Sequence, residues 1–353
     1  MLEYNISSPV MVTGATGYVA GWLVKRLLEE GFTVHAAVRD PHNSKKLSHL
    51  NELAERSPGQ IKYFKADLLS TGSYAAAMQG CEVVFHTASP FNLSADNPQK
   101  DLIEPAQLGT RNVLEEANRT ESVKRVVVTS SCAAIYGDNA DLKDARGDRF
   151  TEADWNNSSS LTHQPYSYSK TLAEQAAWDI ANAQNRWSLI VINPSLVLGP
   201  SLNPAATSAS LSLIRQFGDG TMKSGTVDLG MGAVDVRDVA EAHMAAGFEP
   251  SVQGRYIVSG HDTSFPEFAS ILRDRFGETY PIPKTTVPKW LAWLIGPFLA
   301  KNTTRKYVSR NLGLPFRADN SKSIQELSIK YRPLETSLSE MFQQMIDQGV
   351  FAK

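Results

Sequence analysis

Cysteine is nearly missing from this chain: 353 residues hold two, Cys81 and Cys132. Two cannot make a disulfide framework, and both sit among apolar residues, so they are expected to be core thiols in a reducing compartment. An excess of either charge is also missing. Lys and Arg number 35 against 37 Asp and Glu, a formal net charge of -2, which leaves no basic field for nucleic acid. Long apolar runs are absent. The longest, 290–300, is too short to span a bilayer and contains Gly296 and Pro297, so no membrane partner is expected. The first residues lack a basic stretch ahead of an apolar run, so no signal peptide is expected and the cytoplasm is the expected location. Low-complexity tracts and internal repeats are missing as well, and no metal site is expected. The remaining composition, 42% hydrophobic and 20% charged, is that of an ordinary globular enzyme.

What is present begins with an apolar strand at Val10–Val12. It runs into Gly14-Ala15-Thr16-Gly17-Tyr18-Val19-Ala20-Gly21, an amphipathic helix to about Glu30, and a second strand at Thr33–Val38. A strand, glycine turn, helix and strand within about 30 residues is the context of a dinucleotide fingerprint. Gly14 allows the tight turn, Gly17 lets the backbone approach a pyrophosphate, and Ala20 lets helix and strand pack closely. NAD sites usually place a carboxylate at the end of the second strand. Here Arg39 stands there, followed by Lys45 and Lys46. A guanidinium suits a 2′-phosphate, which favours NADP(H). Asp40, followed by Pro41, reads as the start of a turn, and Lys45 as part of a solvated helix face.

The alternation continues. Strands are expected at 61–66, 83–86, 125–128 and 188–192, with helices at 74–79, 102–118 and from Tyr166 onward. Asp67, Thr87 to Ser89 and Ser131 then fall at carboxyl ends of strands, where open parallel sheets bind ligands. His86 reads as a buried, hydrogen-bonded core histidine. The polar stretch 138–164 reads as a long surface loop that could form part of a substrate rim. Beyond residue 198 the alternation fails. Residues 227–236 are expected to return to the sheet, with a helix at 239–248, a strand at 255–258, and amphipathic helices at 265–276, 290–299 and 338–348. Trp290, Leu291, Trp293, Leu294 and Phe298 could be core or could lid an apolar substrate; core is the expectation, because an aromatic stripe at helical spacing usually packs inward.

Tyr166 and Lys170 are four apart at the start of a segment rich in helix formers, with Pro165 just ahead. They therefore share a helix face. A phenol titrates near 10, and an ammonium one turn away should lower that value and make the pair a general acid. Tyr280 and Lys284 have the same spacing, but Pro281 and Pro283 between them forbid a regular helix.

Taken with the motifs Val38-Arg39-Asp40-Pro41, Ala66-Asp67-Leu68, Val84-Phe85-His86, Thr129-Ser130-Ser131, Ser169-Lys170-Thr171-Leu172-Ala173-Glu174 and Asp319-Asn320-Ser321-Lys322, the chain resembles an extended short-chain dehydrogenase/reductase. Within that group it is similar to the dihydroflavonol-4-reductase family, which includes cinnamoyl-CoA reductases and yeast-type methylglyoxal/carbonyl reductases. The resemblance implies an NADPH-dependent reductase acting on the carbonyl of a small-molecule aldehyde or ketone, as a monomer or homodimer. The implied fold is a Rossmann-type doubly wound parallel sheet with a smaller, intertwined C-terminal α/β substrate domain. Residues 1–195 and a returning segment near 226–258 would form the NADP-binding part; residues 196–225 and 259–353 would form the smaller one.

By position, the resemblance makes Tyr166 the proton donor. Lys170 is the ribose anchor that lowers the tyrosine pKa, and Ser131 is the second donor to the carbonyl oxygen, with Ser130 as its alternative. Residues 14–19, from Gly14, Ala15, Thr16 and Gly17 to Tyr18 and Val19, would hold the pyrophosphate. Arg39 and Lys46 would hold the 2′-phosphate, Asp67 and Leu68 the adenine, Thr87, Ala88 and Ser89 the ribose, and Pro194, Ser195, Leu196 and Val197 the nicotinamide. Pro90, Phe91, Tyr136 and Asn193 are the expected substrate contacts. Tyr136, where plant flavonoid reductases usually carry Asn or Asp, and the Asn193-Pro194 pair point to the yeast-type branch. The rival enzyme reading is a nucleotide-sugar epimerase or dehydratase, which Arg39 argues against. The non-enzyme reading is a catalytically silent NADP-binding protein, which the intact Ser-Tyr-Lys set argues against.

Overall fold

A computed structural model describes residues 6–89, 97–204, 206–299 and 303–351; Pro90 and Phe91, expected at the substrate, lie outside them. Six strands fall where the apolar runs require: β1 (Val10–Thr13), β2 (Thr33–Val38), β3 (Gln60–Lys65), β4 (Val83–His86), β5 (Arg125–Thr129) and β6 (Ser188–Pro194). Between them run α1 (Tyr18–Glu29), α2 (Ser44–Glu55), the short α3 (Ala75–Met78), α4 (Glu104–Arg119) and α5 (Pro165–Asn182). The central strands β1, β4 and β5 are Val-rich and nearly continuous in burial, as strands covered on both faces must be.

The following elements are β7 (Leu196–Leu198), α6 (Ala209–Gly218), β8 (Thr226–Val227), β9 (Gly230–Asp235), α7 (Val236–Phe248), β10 (Gly254–Val258), β11 (His261–Ser264) and α8 (Phe265–Phe276). The chain then forms β12 (Thr286–Val287), α9 (Lys289–Leu299), α10 (Arg305–Asn311), α11 (Ser321–Glu326) and α12 (Leu334–Asp347).

Seven parallel strands form the main sheet in the order β10-β6-β5-β4-β1-β2-β3. The order reverses at β1, and the crevice outside the carboxyl ends of β1 and β4 is where such sheets take ligands. One face is closed by α1 and α2, whose Leu23, Leu27 and Leu50 join the β1–β2 core, and by α7, which packs on β4, β5 and β6 with Val239 in the same core. Helices α3, α4 and α5 close the other face through Met78, Val113, Leu114 and Ala177.

The expectation that residues 227–236 return to this sheet is corrected. The segment pairs as β9 with β7 and β11 in a separate three-stranded sheet, and the vacant edge position beside β6 is taken by β10. That small sheet packs on α6, α8 and α12 around Phe217, Phe268, Leu338 and Phe342.

The stretch 138–164 is a surface loop only in part: Lys143, Asp144 and residues 146–149 are exposed, but its two ends turn inward. Asp138, Asn139, Asn156 and His163 are buried. The Asp138 carboxylate accepts hydrogen bonds from His163 Nε2, Gln164 Nε2, Arg310 Nε and Asn311 Nδ2 at 2.5–3.0 Å. Asn139 donates to the Gly230 carbonyl. The polar residues at 138–141 are thus held inside by pairing with Arg310 and Asn311 of α10, which satisfies the groups that burial strips of water.

Candidate active site

Gly14 has φ +63°, and a Cβ there would approach Ala88 at 3.1 Å, so glycine is required both by backbone conformation and by space. Gly17 caps α1 with no side-chain acceptor. The amides of the first turn of α1 thus face the crevice with the partial positive charge of the helix end. On the opposite wall, Thr13 Oγ1 accepts from the Ala88 amide, and Thr87 donates to the Thr13 carbonyl. His86 is buried, bonds Thr13 Oγ1 at 3.0 Å, and is pushed down to about 3 by desolvation and then by Lys170. It is the neutral core histidine the sequence implied. Cys81 and Cys132 are free and buried, and burial pushes the Cys81 thiol up to about 12.

Helix α5 starts with Pro165 at its first position, where the missing N–H costs nothing. Ahead of it Gln164 has φ 52°, ψ 57°, a left-handed conformation uncommon outside glycine and associated with functional sites. It is held by side-chain bonds to the Gly137 carbonyl and to Asp138. This fixes the entry of α5, so Tyr166 opens toward the end of β5.

The two serines there divide cleanly. The Ser130 hydroxyl donates to Glu174 Oε2 at 2.5 Å and is buried. Ser131 lines the cavity with Tyr166, and its hydroxyl accepts from the Ala133 amide at 3.1 Å. Of the alternatives left open by the sequence, Ser131 therefore has the accessible hydroxyl.

Lys170 lies one turn on, 5.8 Å from the Tyr166 ring centre, and donates to Ser89 Oγ at 2.8 Å. Desolvation lowers its pKa to about 8, opposed by Glu174. Tyr166 departs from expectation. Burial pushes its phenol up to about 12, and the counteracting influence is the Ser131 hydrogen bond, not Lys170. With the ammonium hydrogen-bonded to Ser89, burial is the dominant influence on the phenol.

One cavity of about 500 Å³ joins Gly14, Gly17, Tyr18 and Val19 to Ser131, Tyr166 and Lys170, and continues along Pro194, Ser195, Leu196 and Val197. This continuity, from a glycine turn at a helix N-terminus to a tyrosine–lysine pair, fits a dinucleotide. Ser195 Oγ is buried with no hydrogen-bond partner, a polar atom free to meet such a group. Beyond Tyr166 the walls are Tyr136, Met231, Leu229 and Tyr307, with Tyr136 stacked on Phe150 at 4.7 Å.

Asn193 is corrected as a substrate contact. It is fully buried and absent from the cavity wall, and its amide donates to the Ser131 carbonyl and to Glu174 Oε2. Ala15 and Thr16 also lie outside the cavity wall, Ala15 fully buried. Tyr18 lines the cavity but spends its hydroxyl on the Gly199 carbonyl at 2.5 Å. Arg39 is exposed at the end of β2, and Lys46 is exposed in the first turn of α2. Asp40 accepts from the His42 amide at 3.0 Å, the turn its sequence context implied. Asp67 likewise accepts from the Leu69 amide, and Leu68 packs against Gly109. Sequence reasoning missed Gln164, Met231, Leu229 and Tyr307, which arrive from segments carrying no local motif.

Residues 10–258 match the NAD dependent epimerase/dehydratase family. A cinnamoyl-CoA reductase of Medicago truncatula is 36% identical over 344 residues, covering 96% of each chain. A dihydroflavonol 4-reductase of Gerbera hybrida is 37% identical over 284 residues, 79% of this chain and 75% of that one. Among solved structures, Gre2 of Candida albicans in complex with NADPH superposes with a TM-score of 0.75 at 28% identity, covering 98% of this chain and all of that one. The yeast methylglyoxal/isovaleraldehyde reductase Gre2 complexed with NADPH superposes with a TM-score of 0.77 at 26% identity, covering 97% and 99%. The chain belongs to the NAD dependent epimerase/dehydratase family, the extended short-chain dehydrogenase/reductases, beside the dihydroflavonol, anthocyanidin and cinnamoyl-CoA reductases.

Proposed function

We propose that this protein is an NADPH-dependent carbonyl reductase that converts an apolar, ring-bearing aldehyde or ketone to the alcohol. The observation that carries the reading is the single cavity whose wall brings Ser131, Tyr166 and Lys170 together with the glycine turn. The nicotinamide cofactor, when bound, supplies the hydride. Tyr166 gives its proton to the carbonyl oxygen, and Ser131 donates a second hydrogen bond to that oxygen as charge develops. Lys170 adds a fixed positive charge beside the cofactor ribose and the tyrosine. Gly17 and the amides after it hold the pyrophosphate, while Arg39 and Lys46 hold the 2′-phosphate.

The substrate class follows from the walls. Tyr136, Tyr307, Leu229 and Met231 offer aromatic and aliphatic faces, and two aromatic walls favour a flat ring. The NADPH seen with the Gre2 enzymes supports the cofactor choice. The test is loss of absorbance at 340 nm with NADPH and NADH side by side, across a panel from methylglyoxal to aryl aldehydes and flavonoid ketones. Turnover of aryl carbonyls with NADPH is expected. No turnover of any carbonyl, with tight NADPH binding retained, would return the reading to a silent cofactor-binding protein.

A further inference from the structure

The stripe in α9 does not pack inward as its sequence suggests. Trp290 is 68% exposed, Phe298 82%, Leu299 76%, Leu294 48% and Trp293 41%. The residues α9 buries are the small ones, Ala292 and Gly296, one turn apart. Ala292 joins Val308 and Leu312 in a small cluster under the helix, and a Cβ at Gly296 would come within 2.8 Å of Thr303. Folding alone selects the reverse, with large side chains inside and small or polar ones outside. An exposed apolar patch of this kind marks an interaction surface.

The charge around the helix identifies the partner. From residue 279 to residue 318 the sequence contains no acidic residue and seven basic ones, in a chain whose net charge is -2. Lys284, Lys289, Arg305 and Lys306 are exposed, and Arg305 lies over the Trp293 ring at 4.7 Å. A second copy docking through a two-fold axis would set this basic surface against itself. A nucleic acid would leave Phe298 and Leu299 without an apolar partner. An apolar ridge of Trp, Leu and Phe with Lys284, Lys289, Arg305 and Lys306 around it, outnumbering the Asp228 carboxylate near Lys289, fits one surface chemistry, the interface of a membrane rich in anionic lipid.

We infer that α9 is a peripheral membrane anchor, seating Trp290, Phe298 and Leu299 among acyl chains while the neighbouring Lys and Arg meet anionic headgroups. Among the described residues no helix is long and apolar enough to cross a membrane, so the helix lies along the surface. Helix α10, which packs beside α9 in the same small cluster, also places Tyr307 and Asn311 in the cavity wall. Docking would therefore bring the cavity close to the lipid phase, from which a poorly soluble substrate can be drawn.

The test is co-sedimentation of the full chain with vesicles, without substrate or cofactor. Vesicles of phosphatidylcholine with about a third phosphatidylserine should retain the protein, and pure phosphatidylcholine should not. Raising salt from 0.05 to 0.5 M should release it. The double substitution Phe298→Glu/Leu299→Glu should lower partitioning at least tenfold, while its unfolding midpoint and its activity on a water-soluble carbonyl stay at wild-type values. Lys306→Glu should lower partitioning at least about fivefold, the worth of one basic residue at an anionic surface. Equal retention by both lipid compositions, no retention by either, or full retention of the double variant would overturn the anchor. So would a concentration-dependent dimer in sedimentation velocity that the double variant abolishes, which would assign the face to self-association.

Discussion

Glu174 and Arg255, 81 residues apart, form a 2.6 Å ion pair with both side chains buried, and it reaches Ser130 through the carboxylate. The carboxylate also accepts from Ser130 and Asn193. The guanidinium bonds the carbonyls of Glu152 and Asp154 and stacks on Trp155 at 3.9 Å. This one cluster therefore ties α5, β5, β6, β10 and the 138–164 segment together. Removing one partner of a buried pair leaves the other charge uncompensated, at a cost of about 3–5 kcal/mol. Glu174→Ala is expected to lower stability by that amount in urea unfolding monitored by circular dichroism. A loss under about 1 kcal/mol would mean that water or rearrangement replaces the carboxylate.

The division of labour between the two serines predicts opposite phenotypes. Tyr166→Phe should cut kcat by about 10²–10⁴-fold, the usual contribution of a positioned acid, and leave NADPH affinity nearly unchanged. Ser131→Ala should lower kcat with little change in stability, since its hydroxyl faces the cavity. Ser130→Ala should do the reverse, because it strips a buried carboxylate of a donor. Steady-state kinetics with thermal unfolding on the three variants decides the matter. A Ser130→Ala enzyme that is stable and inactive would exchange the two assignments.

The pH profile should report Lys170. Its folded pKa is lowered to about 8, so the ammonium is present below that value and is lost as pH rises through it. Tyr166, pushed up to about 12, keeps its proton throughout this range. The expected outcome is kcat/KM for reduction that is level near neutrality and falls above about pH 8. Lys170→Arg, whose guanidinium does not titrate there, should flatten that fall even if the overall rate is lower. A fall that persists unchanged in Lys170→Arg would place the titrating group elsewhere.

Much of this was legible in the sequence because the signal was local. The fingerprint turn, the Val-rich strands and the four-residue Tyr166–Lys170 spacing are each set by residues within one turn or one strand of each other. What was not legible depended on distant partners. Asp138 reads as a loop residue until Arg310 and Asn311 arrive from about 170 positions away to satisfy it. The β9 residues have strand character, but nothing in them says which sheet they will join. Asn193 sits next to the nicotinamide motif yet turns away toward Glu174. In α9 the aromatic spacing is helical, as in a core helix, but the small residues at 292 and 296 set the packed face. The tyrosine pKa is raised by burial instead of lowered, because spacing puts two side chains on one face without fixing where the ammonium points.

Cofactor choice is the remaining test, and it rests on Arg39. The residue stands exposed at the carboxyl end of β2, where an NAD enzyme presents a carboxylate to the ribose hydroxyls. The adjacent Asp40 already accepts the His42 amide within its turn. A guanidinium can clamp a phosphate through two parallel hydrogen bonds. Charge-assisted contacts of this kind contribute about 1.5–3 kcal/mol, roughly a tenfold to hundredfold preference. Lys46, exposed in the first turn of α2, should add a smaller share that salt screens. Arg39→Ala is therefore expected to raise KM for NADPH at least tenfold and leave NADH nearly unchanged. Asp40→Asn should sharpen the NADPH preference slightly by removing a like charge from the phosphate. Measuring kcat/KM for both cofactors, at low and high salt, on wild type and Arg39→Ala separates the possibilities. Equal losses with both cofactors would mean that Arg39 supports the β2 end or stacks on the adenine, and phosphate selection would then have to come from Lys46 alone.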